Sequence, residues 1–75
     1  SNSHQIGAPL QGMLSKVIVK NGEPVKKNQP LFIIEAMKME TIITAPYDAT
    51  ISHIELPGGT LVNTNDLILE LKPKS

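Results

Sequence analysis

The sequence predicts an all-β domain: a small antiparallel sandwich or flattened barrel with internal pseudo-twofold symmetry. Three observations lead there. Short β-branched apolar stretches recur every several residues and are separated by turn residues. No stretch carries a convincing amphipathic helical stripe. The two halves of the chain also resemble each other, so one structural plan is used twice.

The repeat is gapless at an offset of 37 positions. Ile6 falls on Ile43, Ala8 on Ala45, Pro9 on Pro46 and Ser15 on Ser52. Gly22 falls on Gly59, Val25 on Val62 and Asn28 on Asn65. Apolar positions match in kind, as with Leu14 and Ile51, Val17 and Ile54, Val19 and Leu56, and Leu31 and Ile68. Two copies are too few for a solenoid, which needs three or more stacked units. They fit a closed pseudo-symmetric domain.

At 75 residues the chain makes one small domain. A chain of this size buries only about 60% of its unfolded surface. It has no cysteine, so neither a disulfide nor a thiolate metal site can staple it. Closing a sheet on itself is the remaining way to use so small a core. Seven basic and seven acidic residues balance, which argues against binding nucleic acid or an anionic membrane by charge. The longest apolar run, Leu31 to Ile34, is far too short to cross a bilayer. No signal-peptide pattern is present. Ser1-Asn2-Ser3 reads as a cloning remnant, residues 1–5 as a disordered start that includes His4, residues 6–72 as the domain, and 73–75 as a tail.

Taken in order, Ile6 to Leu10 is a short extended piece, kept from helix by Pro9. Met13 to Lys20 is β-branched and reads as a strand. Its inward positions step irregularly, from Leu14 to Val17 and then to Val19, which calls for one extra residue near Ser15-Lys16, a bulge. Ile51, Ile54 and Leu56 repeat the step. Lys20-Asn21-Gly22 and Pro57-Gly58-Gly59 are turns. Brief extended pieces follow around Val25 and Val62. Lys27-Asn28-Gln29 and Thr64-Asn65-Asp66 are then polar turns, each with an Asn that tolerates positive φ. Pro30 to Glu35 and Leu67 to Leu71 are longer apolar strands. Thr41 to Thr44 is another, ended by Pro46, and Pro73 closes the domain. The count is about eight strands, four per half.

At the joint between the halves stands Glu35-Ala36-Met37-Lys38-Met39-Glu40. Propensity alone predicts a helical turn here, since all four residue types favour helix. The segment is uncapped and shorter than two turns, which is marginal for a helix. β-Branched strands also run into it on both sides. Pairing Ile33-Ile34 with Ile42-Ile43 therefore predicts a hairpin with Met37-Lys38 at its tip. No Gly, Asn, Asp or Pro is present to make that turn. Such conflicts between local preference and fold gather at functional positions. Two methionines at an exposed tip point the same way, because Met otherwise fills cores or adaptable contact surfaces.

Ala36-Met37-Lys38-Met39 reproduces in full the Ala-Met-Lys-Met signature of biotin carboxyl carrier domains, and the resemblance runs from about Ile6 to Lys72. Ile6-Gly7-Ala8-Pro9, Thr41 and Ala45-Pro46-Tyr47 are most similar to the carriers of pyruvate carboxylases and biotin-dependent decarboxylases. The resemblance implies a flattened antiparallel β-barrel or sandwich of two four-stranded sheets, with the modified lysine on a protruding hairpin. It implies covalent biotin on Lys38, with Ala36, Met37 and Met39 as flanks read by biotin protein ligase and Glu35 and Glu40 as outer positions. It also implies a non-catalytic carrier within a multidomain carboxylase, moving carboxybiotin between biotin carboxylase and carboxyltransferase domains. The implied location is the cytoplasm, or the mitochondrial matrix in a eukaryote. Asn28, Asn65 and Ala49 stand where many relatives carry Gly; Asn can replace Gly in a left-handed turn, and Ala49 implies a slightly different turn after Asp48. The halves align without an inserted thumb, which points to a parent of the pyruvate carboxylase or decarboxylase type.

Such a role needs one lysine held clear on a rigid mount. An exposed lysine is mostly protonated at pH 7, so the ligase is expected to supply the base and the desolvation. Tethering would raise the local concentration of the carried group at each site. Other readings stand beside this one. Lipoyl domains share the fold but typically have Asp-Lys-Ala around the lysine. An unmodified barrel could serve only protein contacts, and Lys38 would then be an ordinary surface lysine. Glu35 and Glu40 could be solvated strand-end charges. His53 falls on the polar side of a strand, and two distant histidines make no metal set. No nucleophile elbow, nucleotide loop or Ser/His/Asp cluster appears.

Overall fold

The computed structural model describes residues 4–74. The first three residues and Ser75 lie outside the described residues, and with them the expected cloning remnant Ser1-Asn2-Ser3. The described chain has eight strands and no helix. They are β1 (His4–Gly7), β2 (Gly12–Val17), β3 (Pro24–Val25), β4 (Pro30–Ala36), β5 (Met39–Thr44), β6 (Ala49–Ile54), β7 (Thr60–Val62) and β8 (Leu67–Pro73). Every pairing is antiparallel.

Two four-stranded sheets form, in the orders β1-β8-β6-β3 and β5-β4-β2-β7. Moving the first order along by 37 residues turns it into the second, so the sequence repeat is a structural pseudo-twofold. Each half of the chain gives two strands to each sheet. Of the two forms the sequence predicts, sandwich or flattened barrel, the sandwich is the one adopted: no strand is shared between the sheets, which do not close. The sheets meet instead through side chains, which is how face-to-face sheets bury their inner surfaces.

That interior is assembled from twofold pairs. Ala8 and Ala45, Leu14 and Ile51, Val25 and Val62, Leu31 and Ile68, Phe32 and Leu69, and Ile34 and Leu71 are all buried. Consecutive buried residues such as Leu31 and Phe32 break strict alternation, and a register shift lies between Pro30 and Phe32 where β4 meets β5.

The irregular steps read from the sequence are bulges. Pairing shifts between Leu14 and Lys16 in β2 and between Ile51 and His53 in β6. Each bulge leaves a carbonyl of the facing strand without its ladder donor, and a serine hydroxyl supplies one. Ser15 Oγ donates to Ile33 O at 3.3 Å, and Ser52 Oγ donates to Glu70 O at 3.1 Å. This is the physical reason the two serines repeat.

The polar turns repeat in the same detail. Asn28 and Asn65 both have φ 73°, in the left-handed region. Asn28 N–H donates to Ala45 O and Asn65 N–H to Ala8 O, each at 2.7 Å. Side chains close both loops: Gln29 Oε1 accepts from Lys26 N–H at 3.1 Å, and Asp66 Oδ2 accepts from Asn63 N–H at 2.8 Å.

Other boundaries differ from expectation. The domain does not begin at Ile6, because His4 and Gln5 are part of β1 and pair with Leu71 and Glu70. The His4 ring hydrogen-bonds the Tyr47 hydroxyl and meets the phenol ring edge-on, with centroids 5.4 Å apart. β2 ends at Val17 rather than running to Lys20, although Val19 still points into the core. Ala49 is no turn residue. It is a buried strand residue opposite Val25 and Pro73, without positive φ, so no altered turn is needed. At the other end of the described residues, Pro73 completes β8, and Lys74 N–H donates to Asp48 O at 3.0 Å.

The twofold counterpart of Ala49 is Gly12, and the two differ for a reason specific to one sheet. A Cβ on Gly12 would stand 2.6 Å from Glu35 O and 3.1 Å from Ala36 Cβ, at the end of β4. Glycine thus lets β2 pass close beneath the root of the β4–β5 hairpin. Gly12→Ala is expected to push the end of β4 outward and cost about 1–3 kcal/mol, as overpacking does, measurable as a lowered denaturant midpoint. Asn28→Ala is expected to cost about 1–2 kcal/mol through its left-handed backbone, whereas Asn28→Gly should leave the midpoint nearly unchanged.

Candidate functional site

The site grows out of β4. Leu31, Phe32 and Ile34 have no exposed surface, so this strand is anchored by the core. β5 zips onto it with Ile33 opposite Ile42, Ile34 opposite Thr41, Glu35 opposite Glu40 and Ala36 opposite Met39. That register leaves only Met37 and Lys38 to connect the strands. The helical turn that propensity favours is absent. Pairing on both sides of the segment outweighs a preference worth only tenths of a kcal/mol per residue.

A two-residue connection between right-twisted strands favours a turn with positive φ at both positions, usually Asn-Gly or Asp-Gly. Met37 has φ 51° and Lys38 φ 65°. Each side chain in the left-handed region costs about 1–2 kcal/mol relative to the ordinary helical region. Strain of this kind persists only where surrounding structure enforces it. Here the locked register of β4 and β5 does so.

The tip is open to solvent. Met37 is 95% exposed and Met39 71% exposed, and Lys38 is exposed between them. Among the described residues Lys38 has no carboxylate within 4.0 Å. Its ammonium stands exposed on a fixed mount, and among the described residues no ion-pair partner holds it.

The sequence-selected residues come together as one hairpin, though their surroundings differ. Ala36 is half-buried at the hairpin root. Glu35 and Glu40 face each other across the ladder as exposed like charges, an arrangement that destabilises a strand pair. Beside the hairpin lies a shallow depression bordered by Leu10, Gln11, Gly12, Met13 and Leu61 together with Met37. Sequence reading had not connected these residues with the tip. Glycine inside a strand signals close backbone approach, which could have drawn attention to Gly12. Nothing local marks Leu61, which reaches the site only because β7 pairs with β2.

Elsewhere, His53 is exposed and pairs with Glu55 at 3.0 Å, away from His4. Among the described residues no three His, Cys, Asp or Glu side chains group as metal ligands. Partial burial raises the Tyr47 phenol above its ordinary pKa. No helix among the described residues is long and apolar enough to cross a membrane.

Known proteins share both the sequence and this shape. A pyruvate carboxylase of Staphylococcus aureus is 47% identical over 72 residues, covering 96% of the chain. Pyruvate carboxylase 1 of Caenorhabditis elegans is 43% identical over 68 residues, covering 91%. The chain spans only 6% of the length of either relative. Among solved structures, a single-chain, multi-domain long-chain acyl-CoA carboxylase superposes with a TM-score of 0.93 at 25% identity, covering 97% of this chain and 7% of that one. Residues 4–71 match the family model described as biotin-requiring enzyme. With a strained, solvent-facing lysine hairpin on a twofold sandwich and a family match over nearly its whole length, the chain belongs to the family of biotin-requiring enzymes.

Proposed function

We propose that this domain is the biotin carrier of a pyruvate carboxylase-like enzyme, with biotin amide-linked to Lys38. The observation that supports it above all is the placement of Lys38 within Ala36-Met37-Lys38-Met39, at the exposed turn of a hairpin made of residues that do not favour that turn. An exposed amine without an ion-pair partner fits an attached acyl group, because acylation removes its charge without orphaning a neighbour.

In this reading a biotin protein ligase supplies an activated biotinyl acyl group. The neutral Lys38 Nζ attacks its carbonyl, a C–N bond forms, the bond to the leaving group breaks, and the amine proton passes to a base of the ligase. Ala36, Met37 and Met39 are the surfaces the ligase reads, with Glu35 and Glu40 outside them. The attached group supplies carboxyl transfer when bound. In this reading the chain's own residues hold the tether clear of the sandwich, and the domain acts as a non-catalytic carrier. Its partners are the ligase and the biotin carboxylase and carboxyltransferase domains of the parent. Its location is the cytoplasm, or the mitochondrial matrix in a eukaryote.

Co-expression with a biotin protein ligase, followed by intact-mass measurement, is expected to show a single biotin adduct that disappears in Lys38→Ala. A lipoyl adduct, or none on the unaltered chain, would refute the assignment. Met37→Leu and Met39→Leu are each expected to change unfolding free energy by less than about 0.5 kcal/mol, as surface substitutions do. A large loss in a denaturant melt would mean that the methionines are structural.

A further inference from the structure

The pseudo-twofold supplies an internal comparison between the two outer faces. On the β1-β8-β6-β3 sheet, pairing aligns Gln5 with Glu70, and Thr50 with Pro24. The residues 37 positions away, on the outer face of the hairpin sheet, are Ile42, Ile33, Met13 and Leu61. The same scaffold therefore carries Gln5, Glu70 and Thr50 beside Pro24 on one outer face, and four large apolar residues at the equivalent positions of the other. Ile42 is 56% exposed and Leu61 76% exposed, so folding of the domain does not account for their being apolar.

The apolar face is continuous with the lysine hairpin. The row Glu40, Glu35, Met13, Leu61 crosses all four strands, and the next row places Ile42 beside Ile33 and Ile33 beside Lys16. The depression next to Met37 opens onto Met13 and Leu61. A surface seated here would lie beside whatever Lys38 carries.

We propose that this face docks against the parent enzyme, through a surface that sets at least one arginine or lysine among apolar side chains. The assignment rests on the carrier reading above. Charge selects the occupant. Glu35 and Glu40 stand opposite each other, and Lys16, the one cation in these rows, is not within 4.0 Å of either. The face is therefore one positive charge short. A second copy of the chain would bring the same deficit and double it. Anionic lipid would be repelled. A basic and apolar protein surface relieves the like-charge pair and covers the apolar residues together.

The test supplies the biotinylated chain in trans to a pyruvate carboxylase whose own biotin-bearing lysine is replaced by alanine. Restored turnover is followed against chain concentration. The Ile42→Gln/Leu61→Lys double variant is expected to raise KM roughly tenfold or more with kcat little changed, as loss of apolar anchors does. Ile42→Gln alone installs the residue that the opposite sheet already carries at Gln5, so it retains the fold and gives a smaller rise. Thr50→Ala and Lys72→Gln, on the polar face, should leave KM unchanged. KM of the unaltered chain should rise with salt, and Glu35→Gln/Glu40→Gln should flatten that dependence.

Equal KM for the double variant and the unaltered chain would overturn the docking face, as would equal losses from the two faces or no restored turnover at all. Loss of ligase loading in the double variant, with KM retained, would reassign the face to the ligase. A concentration-dependent dimer abolished by the double variant would reassign it to a second copy. Failure of the carrier reading itself would appear separately, as absence of a biotin adduct on the unaltered chain.

Discussion

The structure depends on one constraint: neither half of the chain can bury its apolar residues alone. Each half contributes two strands to each sheet, so both sheets need both halves. The fully buried Phe32, Leu31 and Ile34 of the first half pack in the same core as Leu69, Ile68 and Leu71 of the second. A domain of this size has little apolar surface to spare. Interlocking the halves gathers the buried aliphatic side chains into a single interior, with Ile18, Ile42 and Leu61 left outside it. It also makes β4 a central strand, flanked by β5 and β2, and the lysine hairpin is its direct continuation.

That arrangement accounts for a turn built from residues that do not favour it. In an isolated peptide, Met37-Lys38 would have little reason to adopt left-handed backbone at both positions. In the domain the choice is made elsewhere. Burial of Phe32 and Ile34 fixes β4, and the pairs from Ile33–Ile42 to Ala36–Met39 fix β5 against it. Two residues remain to reverse the chain. Side-chain identity at the tip is thereby released from the turn's own preferences and is free to answer to recognition and chemistry.

Much of this was legible in the sequence because it is encoded locally and twice. The bulges at Ser15 and Ser52 show as a three-residue step between inward positions. Asn28 and Asn65 show as the residue type that tolerates positive φ. The hairpin followed from strands flanking a segment too short for a helix. Features set by pairing between distant segments were not legible. Periodicity does not say which strand lies beside which, so nothing marked Leu61 as a neighbour of the tip or Gly12 as its footing. Whether the sheets close depends on hydrogen bonding at their edges rather than on inward residues, so periodicity left sandwich and flattened barrel side by side, and the structure is the open sandwich. His4 and Gln5 looked expendable because their order comes from β8, more than sixty residues away.

The ends of the described chain have a consequence of their own. Lys74 is bonded to Asp48, and Asp48 accepts from Lys27 N–H at 2.9 Å, close to Pro30 at the start of β4. The lysine lies beyond Ala36, at the other end of that strand. The domain measures 38 Å along its longest axis. A chain joined on at the Lys74 end would hold the domain by the pole away from Lys38. Rotation about such an attachment would move the Lys38 amine through a wider arc than the residues near Asp48, because β4 separates the two.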